Sequence, residues 1–264
     1  MKHHLVPIVA LYFAGLTCGE SQTNPGISVS VNGSRQVIAY QGWPILVRAV
    51  VLHPLQFGHN LTPLDVVHGD YGWSSAVNLG LVDSKNNNVI WNFQATTTPE
   101  PTLHLDGQHM GTLIWRISPD DSAAIPEGNY TLNAVLDNTD IPLQTWQGVV
   151  AAVAVSIQVK SAPGTLSPDD DSAHAQLLAN YYALSGDTAS GLAALDDLFS
   201  RQPDDLGGLS LRGALLQLQG SNSDAFAAYA QAFHVFQTQF PNSPEPPKLL
   251  LQQLGLLKIK LQIP

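Results

Sequence analysis

Gly186 and Gly220 stand 34 residues apart, and the residues around the first recur in kind around the second. Ala179 pairs with Gly213, Tyr182 with Leu216, Leu184 with Leu218, Gly191 with Ala225 and Leu195 with Tyr229. Small meets small and large meets large. A period of this length belongs to helix-turn-helix arrays, in which stacked units bury a face that none can bury alone. Arrays of this kind usually bind other proteins, so the pattern points to interaction.

Around these glycines, Ala173 to Ser185, Thr188 to Ser200, Leu206 to Leu218 and Asp224 to Gln239 have helical composition, with apolar residues at three- and four-residue spacings. On the last of these, Phe226, Tyr229, Phe233, Phe236 and Phe240 form one stripe, read as core. Ser221 to Asp224 fits a capping box ahead of it, and Pro241 stops it. After Glu245-Pro246-Pro247-Lys248 comes a fifth helical segment, Leu249 to Ile263, expected to cover the open face of the second unit.

The two units resemble tetratricopeptide repeats. On that family's 34-residue frame, Ala179 and Gly213 take the small position of the first helix, Gly186 and Gly220 the turn, and Gly191 and Ala225 the small position of the second helix. Ala175 departs from the tryptophan typical of the family, and Leu198 from its alanine. The resemblance implies a peptide- or protein-binding surface on the first helix of each pair, along Gln176, Asn180, Ala183, Ser210, Ala214 and Gln217. Asn180 matches one asparagine of the carboxylate clamp found in some members, but Gln176 stands in place of its lysine and Leu211 in place of its second asparagine. The ligand expected is therefore apolar or neutral.

Between Pro25 and Lys160 the period changes to two. Ile27 to Val31 alternates strictly, and Ile45 to Leu52, Ala76 to Val82, Val89 to Phe93, Thr112 to Ile117, Tyr130 to Leu136 and Val149 to Val159 are rich in β-branched or aromatic residues. Turn residues separate them, as at Asn32-Gly33 and Asp106-Gly107. Strands so short and so punctuated predict an antiparallel β-sandwich. The stretch Pro126-Glu127-Gly128-Asn129-Tyr130 resembles a corner of bacterial immunoglobulin-like and fibronectin-like modules, in which the tyrosine packs across the end of the sandwich.

The predicted organisation is a signal peptide over 1–19, an immunoglobulin-like sandwich over 25–160, a linker over 161–171 and a tetratricopeptide-like module with a capping helix over 172–264. Met1-Lys2-His3-His4 followed by the apolar run Leu5 to Leu16 reads as a secretory signal, which implies a secreted or periplasmic bacterial protein. The single cysteine, Cys18, stands where a lipoprotein carries its lipid, but Gly15 and Thr17 fit that pattern poorly, so an ordinary cleaved signal is expected first. A lipid at Cys18 is the one route to a membrane that this sequence suggests.

A formal charge of -10, with 11 Lys and Arg against 21 Asp and Glu, argues against nucleic acid as a partner. His53, His59, His68, His104 and His109 lack the close spacing of zinc ligands, so no metal and no cofactor is expected. The chain has no Gly-x-Ser-x-Gly turn, phosphate loop or dinucleotide fingerprint, and no catalytic residue is assigned. The expectation is a non-catalytic adaptor or scaffold with a protein or peptide partner. Its alternative is a carbohydrate- or surface-binding module in which Tyr71, Trp73, Trp91 or Trp146 stacks on sugar rings.

Overall fold

The computed structural model describes residues 24–54, 63–67, 72–95, 100–106, 109–139, 145–243 and 245–263. The chain is β-rich in its N-terminal part and helical in its C-terminal part. In chain order come β1 (Gly26–Val31), β2 (Gln36–Tyr40), β3 (Ile45–Leu52), β4 (Leu64–Val67), β5 (Val77–Asp83), β6 (Gln94–Ala95), β7 (Thr102–Leu105) and β8 (Met110–Ile117). A short helix α1 (Pro119–Ala123) precedes β9 (Gly128–Asp137), β10 (Val149–Ala151) and β11 (Val155–Lys160). The helical part holds α2 (Pro168–Leu184), α3 (Thr188–Arg201), α4 (Leu206–Leu218), α5 (Asn222–Gln239) and α6 (Lys248–Lys260).

One sheet runs in the order β1-β3-β8-β6 and a second in the order β10-β9-β11-β2, with β5 on the other side of β9; β4 and β7 form a separate pair. Alternation decides which side chains each sheet turns inward. On β3, Ile45, Val47, Ala49 and Val51 are buried; on β9, Tyr130, Leu132, Ala134 and Leu136 are. Both sets belong to one apolar cluster, so the two sheets share a core. At the end of that core the Tyr130 hydroxyl donates to the Pro126 carbonyl at 2.8 Å.

The strands depart from those expected from composition, and β4, β6 and β7 lie outside every expected run. Gln36 to Tyr40 is a strand, pairing in parallel with β11. Val89 to Phe93 is not one, although Trp91 from it is buried against the Tyr130 ring at 5.0 Å between centroids. Val149 to Val159 divides into β10 and β11. Local β propensity reports a fit to a half-buried surface, which Val89 to Phe93 finds without a ladder.

In the helical part, α2 packs along α3, α4 along α5, and α6 against α5. Gly186 and Gly220 both have φ of 80°, a left-handed conformation that ends one helix and turns the chain into the next. The small positions are points of close approach. A Cβ on Gly191 would lie 3.0 Å from the Ala179 carbonyl oxygen, and one on Gly213 would lie 2.8 Å from the Tyr229 ring.

Ser167 caps α2 by accepting from the Asp170 amide, so the helix begins at Pro168 and the three aspartates sit inside its first turn. Ser221 is the N-cap of α5 but makes no side-chain capping bond. The buried face of α5 is Ala225, Ala228, Tyr229, Ala232 and Val235, while Phe226, Phe233 and Phe236 flank it and Phe240 is 49% exposed. Small residues let neighbouring helices approach, which moves the bulky phenylalanines to the margins. Leu250 and Leu257 of α6 are buried in the same cluster as Tyr229 and Val235. Among the described residues, no helix is long and apolar enough to cross a membrane.

Candidate functional site

Helix α2 is fastened to the β-rich part at both of its ends. Near its start, the His174 imidazole stacks on the Trp43 indole, with centroids 4.5 Å apart and planes 18° from parallel. Near its end, Arg116 of β8 donates from Nη1 to the Ser185 hydroxyl at 2.5 Å and lays its guanidinium over the Tyr181 ring, 5.6 Å from the centroid. Burial lowers the His174 pKa, against a smaller upward pull from Asp171. Asp171 is held below its ordinary range by the Arg201 guanidinium, whose Nε and Nη2 each donate to it at 2.9 Å.

A groove of about 1280 Å³ runs between the two parts. On the helical side it is lined by α2 through Asp170, Ala173, Leu177, Asn180 and Leu184, which recur at three- and four-residue spacing, and by Leu211, Ala214 and Leu218 of α4. On the β side it is lined by the turn at Asn32 and Gly33, by β2, and by Leu46, Arg48 and Ile114. These last three point away from the shared core because their neighbours in alternation, Ile45, Val47 and Leu113, are buried.

Of the six residues expected to meet a ligand, Gln176, Asn180, Ala183 and Ala214 line this groove. Ser210, Ala214 and Gln217 line a second hollow, about 680 Å³, walled by Leu211, Leu218, Leu249 and Leu250. Ala214, Leu211 and Leu218 belong to both, so the hollows adjoin along α4.

The polar groups along this path are largely satisfied from within. Gln176 donates from Nε2 to the Ser172 hydroxyl at 2.8 Å and to Asp205 at 3.3 Å, while Asn180 donates to the Gln176 carbonyl at 2.9 Å. Ser210 donates to the Leu206 carbonyl at 2.9 Å, and Gln217 accepts from the Tyr229 hydroxyl at 2.9 Å. Both amide hydrogens of Gln176 are engaged and Asn180 keeps one of its two, fewer donors than a carboxylate clamp uses, and most of what remains on the helical side is aliphatic surface and small side chains.

Trp73 and Trp146 are each 2% exposed and Trp91 is 6% exposed, all within the shared core. A ring so buried offers no face to a sugar, so these three do not form the stacking platform expected of the alternative. Tyr71, His59, His68 and Cys18, with the signal segment 1–19, lie outside the described residues. His53 is buried, His104 contacts Asp65 at 2.5 Å, and His109 contacts Asp106 at 2.8 Å. Among the described residues, no three His, Cys, Asp or Glu side chains converge.

The β side of the groove, above all β2 and Arg48, escaped the sequence reading. Its signal is faint, since β2 carries apolar residues on both faces, as Val37 and Ala39 on one and Ile38 and Tyr40 on the other.

No protein-family model matches the chain, and no curated protein does. Among solved structures it is similar to a family 123 glycoside hydrolase from Clostridium perfringens that hydrolyses glycolipid glycans, at 11% identity and a TM-score of 0.34. The match covers 61% of this chain and 32% of that one, about a third of its length. The expectation that this chain is not an enzyme is withdrawn on this finding, because the structure found belongs to a hydrolase. At that TM-score the likeness assigns this chain no activity.

Proposed function

We propose that the chain is an exported bacterial protein that binds a segment of another protein in the groove between an immunoglobulin- or fibronectin-like β-sandwich and a tetratricopeptide-like helical module. The observation that carries this reading is the coincidence of the groove with residues chosen from the repeat frame: Gln176, Asn180, Ala183 and Ala214 all line it. The Tyr130 to Pro126 hydrogen bond supports the sandwich, as do two sheets with one core. Matching left-handed glycines and matching points of close approach support the helical repeat. The apolar run Leu5 to Leu16 supports export.

An aliphatic path of this size suits an extended segment with small or apolar side chains, whose release of water from both surfaces drives association. Ala214, shared by both hollows, is the place to test it. Ala214→Arg should abolish binding of decapeptides from an apolar-rich library while leaving melting unchanged, and Ala227→Arg, on the exposed side of α5, should leave binding intact. Equal binding by both variants would remove the groove from the account. Export is tested separately by the intact mass of the mature protein from its native host. Loss of Cys18 indicates a cleaved signal, and an acylated N-terminal Cys18 indicates an anchor.

A further inference from the structure

Strand β2 ends its sheet, and its backbone shows which groups are left over. Arg35 accepts from the Ser156 amide and Gln41 donates to the Lys160 carbonyl, so residues 35, 37, 39 and 41 turn their peptide groups toward β11. Gln36, Ile38 and Tyr40 therefore turn theirs away. The Ser34 hydroxyl takes both groups of Gln36, and the Trp43 amide takes the Tyr40 carbonyl. Among the described residues, the Ile38 N–H, the Ile38 C=O and the Tyr40 N–H have no partner.

These three groups border the groove. Val37 and Ile38, which point to opposite faces of the strand, both line it, so it runs along the strand's edge. Within the same groove Arg48 is exposed and has no ion-pair partner among the described residues; it is the one Lys or Arg in the groove lining, with Asp170 the one carboxylate.

Resting on the groove reading above, we infer that the occupant is an extended peptide strand that adds to the free edge of β2, with one carboxylate placed against Arg48. An unpaired edge is completed by a backbone offering alternate donors and acceptors, which an extended chain has and a helix or a sugar lacks. Added beside Ile38, the strand makes three main-chain hydrogen bonds and lays its side chains on α2 and α4. The acidic side chain is set by charge complementarity with Arg48, so the ligand is apolar except at that point.

The test uses decapeptides with Val, Ile or Thr at alternate positions and a single Glu, titrated by fluorescence anisotropy against the full chain. For the tightest binder, each backbone amide is N-methylated in turn. Amides that face β2 should cost about tenfold or more in affinity, and those between them little, giving a loss with period two. Ile38→Pro should give the same loss, since proline is tolerated where an edge N–H faces outward. Changing the peptide Glu to Gln should weaken binding to the wild type and leave binding to Arg48→Met unaltered. If Ile38→Pro does not fold, the methylation series decides alone. Binding indifferent to the methylated position would overturn strand addition while leaving the groove reading intact. Absence of binding by every decapeptide would overturn both.

Discussion

The indole of Trp43, just beyond β2, stacks on the imidazole of His174 in the second turn of α2, the rings 4.5 Å apart at their centroids. This contact and the Arg116 contacts to Ser185 and Tyr181 hold the helical part against the sheet, and the groove lies between them. The stack makes the junction sensitive to pH. Burial lowers the His174 pKa below its ordinary value of 6.5, so the unfolded chain takes up this proton more readily than the folded one. Stability from the site is complete above that value and declines as pH falls through it toward the folded pKa. Midpoints of guanidinium unfolding, followed by tryptophan fluorescence, should fall from about pH 7.5 to about pH 5.5, and His174→Phe should flatten that part of the slope. Identical slopes for the two proteins would remove His174 from the explanation.

Gly213→Ala should destabilise the helical part by about 1 to 3 kcal/mol, the usual cost of forcing extra volume into a packed contact. Its Cβ would meet the Tyr229 ring at 2.8 Å, and that ring is buried with its hydroxyl bound to Gln217. Gly191→Ala should act the same way against the Ala179 backbone. Gly164→Ala, with nothing within 4 Å of its Cβ, is the control and should melt like the wild type.

Those close approaches were legible in the sequence because they depend on side-chain size at a fixed spacing, as Ala179, Gly191, Gly213 and Ala225 show. The order of β-rich then helical segments was legible from the change of period near Ser161. Strand β2 was not, since its alternation is masked by apolar residues on both faces, and only its pairing with β11 defines it. The groove was half legible. Gln176, Asn180, Ala183 and Ala214 are picked out by the 34-residue spacing, whereas Ile38 and Arg48 meet them through contacts between distant parts of the chain, of Trp43 with His174 and of Arg116 with Ser185 and Tyr181.

Removing α6 by truncation after Pro241 should cost several kcal/mol, at about 1.5 to 3 kcal/mol for each large apolar side chain left without its cover. Leu250 and Leu257 pack in the cluster that holds Tyr229 and Val235, with Phe226 and Phe233 at its margin. Thermal unfolding followed by circular dichroism checks this. A truncated chain that melted as cooperatively and as high as the full one would show that α6 is not a cap.

Tyr130→Phe keeps the buried ring and deletes the hydrogen bond to the Pro126 carbonyl. The expected loss is about 1 kcal/mol of stability in the β-rich part, measured by chemical denaturation. No loss would mean that the corner is held by packing alone.

Asn180→Ala should not change the affinity of peptides ending in acidic residues, because one of its two amide hydrogens is bound to the Gln176 carbonyl and Gln176 and Leu211 stand in place of the clamp's other donors. Any salt dependence of binding should follow Arg48 instead, and titrations of the two variants at low and high salt separate the possibilities. Micromolar affinity lost on changing Asn180 would reinstate the clamp.

The central claim, that the groove binds a protein segment, is tested most directly by amide chemical shifts recorded with and without the tightest decapeptide. The largest changes should fall on Gln36 to Tyr40, on α2 from Gln176 to Leu184, and around Ala214 on α4. Changes confined elsewhere, as on the outer face of α6 at Leu256 and Ile259, would contradict it.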